Sequence, residues 1–179
     1  MNRLQPPPAT DAYRFLGEEF LTWLWYRAEE HGGTFRMADG REIGAALDRH
    51  LEFRDDLSDA RLSVRALGAT RSAEASAALR TGKRLSRAHL LLGEGEHVYE
   101  MTLDAGTLDL GTLKPPPKEP GAEDLESDIL RLTGAGELVD LLFQLFLETR
   151  LAPEWTTTVL PDMRRWARTH GMPTTPAAH

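Results

Sequence analysis

The chain of 179 residues contains no cysteine, and this absence excludes several classes of protein at once. Without thiols there is no disulfide framework, no thiolate metal site and no cysteine nucleophile. A small secreted domain held together by disulfides is therefore excluded, and a reducing compartment is favoured.

Long apolar runs are missing as well. No segment approaches the roughly 18 consecutive apolar residues of a membrane span, and the first fourteen residues lack the apolar core of a signal peptide. These absences predict a cytoplasmic protein with no membrane partner. The hydrophobic fraction of 41% and the charged fraction of 27% are typical of a globular domain, and the length fits one domain.

Local signatures of catalytic and cofactor sites are also lacking. Residues 81–83 resemble the end of a phosphate-binding loop, but Ala77 and Arg84 stand where that motif requires glycine and a hydroxyl residue. The six histidines show no metal-binding spacing, and we interpret them as surface histidines. We therefore predict no catalytic residue, no cofactor, no metal and no small-molecule substrate. An enzyme whose site is assembled from distant segments is the remaining catalytic alternative.

The pattern of apolar residues predicts an α+β fold. An aromatic-rich helix begins at Phe15 and stops at the glycine pair 32–33. Ser72 and Gly82 bracket a second, alanine-rich helix as its cap and its stop. Period-two alternation predicts short strands at 33–37, 43–47, 61–67, 85–92, 98–103 and 108–113, with a tight turn at 48–50. Because the strands are grouped together, we expect an antiparallel sheet packed against the N-terminal helix and C-terminal helices.

Proline-rich stretches suggest how the chain is divided. The predicted parts are a disordered arm over 1–14, an α+β core over 15–114, a proline-rich connector over 115–121, a helical segment over 122–171 and a disordered tail over 172–179. Inside the helical segment, the Gly-Ala-Gly step at 134–136 is a point at which helices bend or break.

The aromatic helix admits two interpretations. Its apolar residues are not confined to one stripe, because Leu21 and Trp25 project away from Phe20 and Trp23. The helix is then either a central packing element, covered by the sheet and by the helix at 138–147, or the docking surface of a protein-interaction module. The second interpretation rests on the frequency of Trp and Tyr as interface anchors.

Charge is segregated along the chain, although the net charge is -7. Between residues 61 and 87, seven cationic residues accompany one acid, Glu74, whereas residues 119–128 are strongly acidic. A local basic surface can bind DNA phosphates on an acidic protein. The candidate DNA-binding residues are Arg61, Arg65, Arg80, Lys83, Arg84 and Arg87. The alternative is a solvated face that the acidic segment balances.

Several short motifs occur in a characteristic order. A Leu-Thr-x-Trp helix comes first, a helix end with the pattern x-Glu-Ala-x-x-Ala-Leu-x-x-Gly-Lys follows, and a strand then ends near Leu-Lys. The matching residues are Leu21, Thr22, Trp23, Glu74, Ala75, Ala78, Leu79, Gly82, Lys83, Leu113 and Lys114. Over Phe15 to Lys114 the chain thus resembles the carboxy-terminal part of the recombination-associated RdgC family and its shorter bacterial relatives.

The resemblance implies a non-catalytic, sequence-independent DNA-binding protein associated with recombination and the nucleoid, with Lys83 at the DNA. In that family a ring-shaped dimer encloses duplex DNA through a basic channel and restrains RecA-type strand exchange. A homodimer is therefore an expectation here. The chain lacks the amino-terminal region that helps to close the ring, so the resemblance does not imply a closed ring.

Overall fold

The computed structural model of the chain describes residues 9–55, 60–117 and 125–172. Within these ranges the α-helices α1–α4 span Ala9–Glu30, Ala73–Arg80, Leu125–Leu151 and Leu160–Thr169. The strands β1–β6 span Thr34–Arg36, Glu42–Arg54, Arg61–Ala66, Arg84–Glu94, His97–Asp104 and Leu110–Lys114. A 3₁₀ helix at Ala69–Arg71 precedes α2, and a π-helix at Trp155–Val159 precedes α4. The predicted α+β class is confirmed.

One six-stranded antiparallel sheet is built around β2. Strand β4 pairs with one side of β2, and β5 and β6 follow it as the predicted meander. The other side of β2 is shared, because β1 pairs with its first residues, 42–44, and β3 pairs with its last residues, 49–54. Ala46 and Leu47 lie between these two partners and pair with β4 alone.

The predicted tight turn at 48–50 is wrong, because β2 runs through it as a bulge. The pairing of β2 with β4 shifts register here, so that residues 48–50 lie opposite the single residue His89. Arg49 takes a left-handed conformation, with φ of 61°. Bulges use the same polar, conformationally strained residues as turns, and this shared composition explains why the pattern indicated a turn.

Three of the large aromatic residues of α1 lie in the core, whereas Phe15 is 39% exposed. Phe20, Trp23 and Trp25 have no exposed surface. Their rings contact other elements: Phe20 lies 5.6 Å from Phe146 of α3, and Trp25 lies 5.3 Å from Trp166 of α4. α1 also packs on β2 and β4. Central packing therefore accounts for these three rings.

Two helix boundaries differ from the predicted ones. α1 begins at Ala9 and so includes residues 9–14 of the predicted arm; prolines are tolerated just before or within a first helical turn, so residues 6–8 do not prevent this start. α3 runs unbroken through Gly134. A side chain at Gly134 would collide with the hydroxyl of Tyr99, and this glycine therefore permits close packing against β5 rather than a break.

Parts of the predicted division fall outside the described residues. These parts are the arm over 1–8, the connector beyond residue 117 and the tail beyond residue 172. Of the predicted acidic segment 119–128, residues 119–124 also lie outside them. Among the helices that are described, none combines the length and the apolar character needed to cross a membrane.

Candidate nucleic-acid interface

Three arginines line up across the end of the sheet. The register of β2 with β3 places Arg54 opposite Arg61, and the register of β2 with β4 places Arg54 opposite Arg84. Like charges directly opposite each other on neighbouring strands destabilise a sheet unless another group compensates them. A row of three guanidinium groups therefore needs a nearby anion.

Glu18 of α1 is that anion. Its carboxylate is only 2% exposed, and Arg54 Nη2 lies 2.9 Å from Glu18 Oε1. Arg14 Nε lies 3.3 Å from the same oxygen, and Arg84 Nε lies 3.9 Å from Oε2. One carboxylate thus faces three guanidinium groups. We call Arg14, Arg54, Arg61 and Arg84 the arginine cluster.

Lys83 and Arg84 line a cavity of about 270 Å³ on one side of the cluster. Arg84 lies over the ring of Phe15, 4.9 Å from its centroid, and Arg164 of α4 lines the same cavity. Lys83 Nζ lies 3.1 Å from an oxygen of Asp55. Glu18 and Glu19 also line this cavity, and Arg84 faces Glu18. The wall therefore carries both cations and carboxylates.

Arg61 and Arg87 line a second cavity of about 270 Å³, together with Arg14. Arg87 Nη2 lies 2.8 Å from Asp104 Oδ2, and its Nη1 lies 3.9 Å from Glu52 Oε1. The two cavities meet the arginine cluster from different sides, since Arg14 lines one of them and its partner Glu18 lines the other.

Four of the six predicted residues are thus brought to the end of the sheet: Arg61, Lys83, Arg84 and Arg87. Arg65 lies farther along β3, opposite His50, with its Nε 3.4 Å from His50 Nε2. Arg80 lines neither cavity. Its Nη1 donates to the carbonyl oxygen of His170 over 2.7 Å, so the structure gives it a role in holding the end of α4.

Arg14, Arg54 and Glu18 were not predicted, because they lie outside the basic run at 61–87. Strand pairing brings Arg54 to this run, and the packing of α1 on the sheet brings Arg14 and Glu18. The predicted strand at 61–67 offered one signal for Arg54. A strand at this position needs a partner strand, and one residue of that partner has to lie opposite Arg61.

A second group of charges surrounds Glu100 on β5. Lys114 Nζ, His89 Nε2 and Arg49 Nη1 lie 2.9, 3.0 and 3.2 Å from Glu100 Oε1. The hydrogen bond from Lys114, aided by that from His89, holds the pKa of Glu100 below its ordinary value. Arg49 and Lys114 are both exposed, so this part of the sheet also presents cations.

The interpretation of all histidines as surface residues is wrong for His89 and His170, which are 8% and 7% exposed. His50 is partly buried beside Arg65. Burial, together with the positive charges of Arg65 and Arg87, lowers the pKa of His50, although Glu52 opposes this. His89 is buried because the bulge of β2 lies opposite it.

A serine, a histidine and a carboxylate form a chain at the other end of α1. Ser76 Oγ lies 2.9 Å from His170 Nδ1, and His170 Nε2 lies 2.9 Å from Glu29 Oε2. Ser76 is only 2% exposed, and Gly171 packs directly on its Oγ. A substrate does not reach this hydroxyl, so the chain of hydrogen bonds fixes α4 to α1 and α2 rather than providing a nucleophile.

In the described ranges, no group of three or more His, Asp or Glu residues is arranged to hold a metal ion. No family model matches the chain, and neither a curated protein nor a solved structure matches it.

Proposed function

We propose that the chain is a non-catalytic, sequence-independent DNA-binding protein that contacts phosphates through the arginine cluster. The observation that supports this proposal is the in-register row of Arg61, Arg54 and Arg84, in which Arg54 and Arg84 also face the buried carboxylate of Glu18. Guanidinium groups bind phosphate oxygens through two parallel hydrogen bonds, and phosphate contacts carry no sequence information.

The spacing of the row suits a nucleic-acid backbone. Neighbouring strands lie about 4.8 Å apart, so positions on three adjacent strands span about 10 Å. Arg61 at one side and Arg84 at the other can therefore reach separate phosphates of one DNA strand. Arg54, which is mostly buried against Glu18, orients the row rather than reaching outward.

Acidic neighbours limit the strength of this surface. Asp55 partners Lys83, and Asp104 partners Arg87. DNA has to compete with these carboxylates, and the net charge of -7 provides no general attraction. We therefore expect modest affinity that depends steeply on salt.

The RdgC-like resemblance supplies the biological setting of the proposal. It implies a cytoplasmic, nucleoid-associated homodimer that acts in recombination. A homodimer doubles the number of arginine clusters that face one duplex, and two linked sites raise the effective affinity without any new type of contact.

The experiment is a titration of the full chain into fluorescently labelled duplexes of two unrelated sequences, at several salt concentrations. We expect similar affinity for both duplexes and a slope of log K against log salt of about -3, as three phosphate contacts from Arg14, Arg61 and Arg84 predict. The variant Arg61→Gln/Arg84→Gln should bind about ten-fold more weakly with a shallower slope.

Arg36→Gln is the matched control, since Arg36 is an exposed arginine on β1 whose partner is the exposed Glu42. It should leave the affinity within about two-fold of the parent, because surface pairs of this kind contribute little. Absence of binding at the lowest salt, or an equal loss in the control and the double variant, would remove the proposal.

A further inference from the structure

A cleft of about 620 Å³ opens at the gap in the edge of the sheet. Its floor is residues 45–47 of β2, where β1 has ended and β3 has not begun. Its walls are the end of α1, the glycine pair 32–33, the 3₁₀ helix and the end of α4. No member of the arginine cluster lines it.

The electrostatic character of the cleft is negative. α1 ends at Glu30 and α4 ends at Thr169, and both of these residues line the cleft. Each helix C-terminus carries a partial charge of about -0.5 from its unpaired carbonyl groups. Glu29 and Glu30 add two carboxylates, and Arg71 is the one arginine or lysine among the lining residues. Arg80 donates to the carbonyl oxygen of His170 at the end of α4 and is a second nearby cation. Two helix ends and two acids outweigh Arg71 and Arg80 together.

Glu29 is ionised in this arrangement. Burial raises the pKa of its carboxyl, but hydrogen bonds from His170 and from the indole of Trp25 outweigh burial and hold the pKa below its ordinary value. The indole nitrogen of Trp25 lies 2.8 Å from Glu29 Oε1. These contacts fix the carboxylate at the wall, and 28% of its side chain stays accessible.

The size of the cleft narrows the class of ligand. The volume lies within the range of about 300–1,000 Å³ that is typical of small-molecule sites and exceeds what a bare metal ion needs. Trp25, Trp166 and His170 line the cleft, with the rings of Trp25 and Trp166 each 5.1 Å from the imidazole. These rings are nearly buried, Trp25 with no exposed surface and Trp166 with 7%, so the groups that a ligand meets are the carboxylates and the helix ends, which favour a cation.

We propose that this cleft binds a small organic ammonium ion, such as a free alkylamine or polyamine, with Glu30 and Glu29 facing the positive charge. A lysine side chain of a partner peptide presents the same chemistry, so the test must separate the two sources. This site lies apart from the arginine cluster, and its binding is measured without DNA.

The experiment follows the indole N–H signals of the full chain by NMR during titration with spermidine. A second titration uses a tripeptide with a central lysine, blocked at both ends. Succinate and 1,4-butanediol are the anionic and neutral probes. We expect spermidine to shift the Trp25 and Trp166 signals and the last two probes to leave them unchanged. If the peptide binds more tightly than spermidine, the cleft is still an ammonium site, and its ligand is the lysine side chain of a polypeptide.

Two single substitutions should change spermidine affinity in opposite directions, and a third is a control. Glu30→Gln removes an exposed acid from the rim and should weaken spermidine binding about three- to five-fold. Arg71→Gln removes the opposing cation and should strengthen binding by a similar factor. Glu96→Gln, at the exposed turn between β4 and β5, is the matched control and should change nothing.

All three positions are exposed, so we expect the variants to keep the parent's melting temperature and the comparison to stay interpretable. The proposal is overturned if spermidine and the peptide both leave the two indole signals in place at about ten millimolar, a weak-binding concentration. It is also overturned if succinate shifts them as strongly, or if Glu30→Gln and Glu96→Gln behave alike.

Discussion

Arg54, the last residue of β2, forms an ion pair with Glu18 of α1 through two of its guanidinium nitrogens. Arg54 Nε and Nη2 lie 3.1 and 2.9 Å from Glu18 Oε1, and the two side chains are 16% and 2% exposed. This pair organises the proposed DNA-binding surface and also joins the sheet to the helix.

Replacing Glu18 by glutamine should lower stability and raise DNA affinity together. The change leaves Arg14, Arg54 and Arg84 without their shared anion, and breaking a buried ion pair lowers the free energy of unfolding by about 3–5 kcal/mol. With an acid removed from the surface, the remaining folded protein should bind DNA more tightly. Chemical denaturation and the DNA titration measure the two effects.

The matched control for this change is Glu42→Gln, which breaks the exposed pair with Arg36. We expect a loss of less than about 1 kcal/mol there. An equally small loss in Glu18→Gln would show that the buried carboxylate does not hold the cluster together.

Arg80→Gln separates the predicted DNA-binding residues from those that the structure groups together. Because Arg80 donates to the carbonyl oxygen of His170 and lines neither basic cavity, its loss should leave DNA affinity unchanged. The lost hydrogen bond should lower the free energy of unfolding by about 1 kcal/mol. A ten-fold loss of DNA affinity, measured by the same titration, would instead return Arg80 to the interface.

The pKa of His50 predicts a pH dependence of stability. Burial and the charges of Arg65 and Arg87 lower its pKa in the folded state below the ordinary value of 6.5. The unfolded chain then takes up the proton first as pH falls. The contribution of His50 to the free energy of unfolding is therefore fully present above pH 6.5, and it is lost as the pH falls below that value.

The measurement is the free energy of unfolding at several pH values for the parent chain and for His50→Gln. As the pH is lowered from 7 to below 6.5, the free energy of unfolding should fall less in the variant than in the parent. Parallel curves for the two proteins would contradict the assignment.

Two glycines of α3 provide a test with opposite signs. Gly136 has open space around it, so Gly136→Ala should stabilise the protein by up to about 1 kcal/mol through helix propensity. Gly134→Ala places a methyl group against the hydroxyl of Tyr99 and should be less stable than Gly136→Ala by about 1–3 kcal/mol.

Thermal unfolding of the two variants checks this prediction. Adding Tyr99→Phe to Gly134→Ala removes the hydroxyl and should recover part of the loss. If the two alanine variants melt alike, α3 does not pack against Tyr99 as the structure indicates.

Local signals in the sequence predicted the elements that depend on neighbouring residues. The Ser72 side chain accepts the Ala75 N–H as the expected cap of α2, and Gly82 and Gly171 take the left-handed conformations expected where helices stop. The meander of β4, β5 and β6 also follows the predicted alternation. In each case the determining residues are a few positions apart.

The candidate sites could not be predicted in the same way, because their residues are distant in sequence. Glu18 meets Arg54 and Arg84, and Glu29 meets His170, only after α1 has packed on the sheet and α4 has packed on α1. The bulge at 48–50 and a second register shift between Glu52 and Phe53 determine which residues of β2 oppose β4, and the composition of the bulge does not distinguish it from a turn.

The bulge has a consequence for insertions and deletions. Side chains alternate between the two faces of a strand, so a shift of one residue reverses all of them. Deleting one residue between the bulge and Arg54 would turn Phe53, which has no exposed surface, toward the charged face and turn Arg54 toward the core. The exposed turn at Gly95 carries no such constraint. Homologous chains should therefore vary in length at this turn and keep a constant length from the bulge to Arg54.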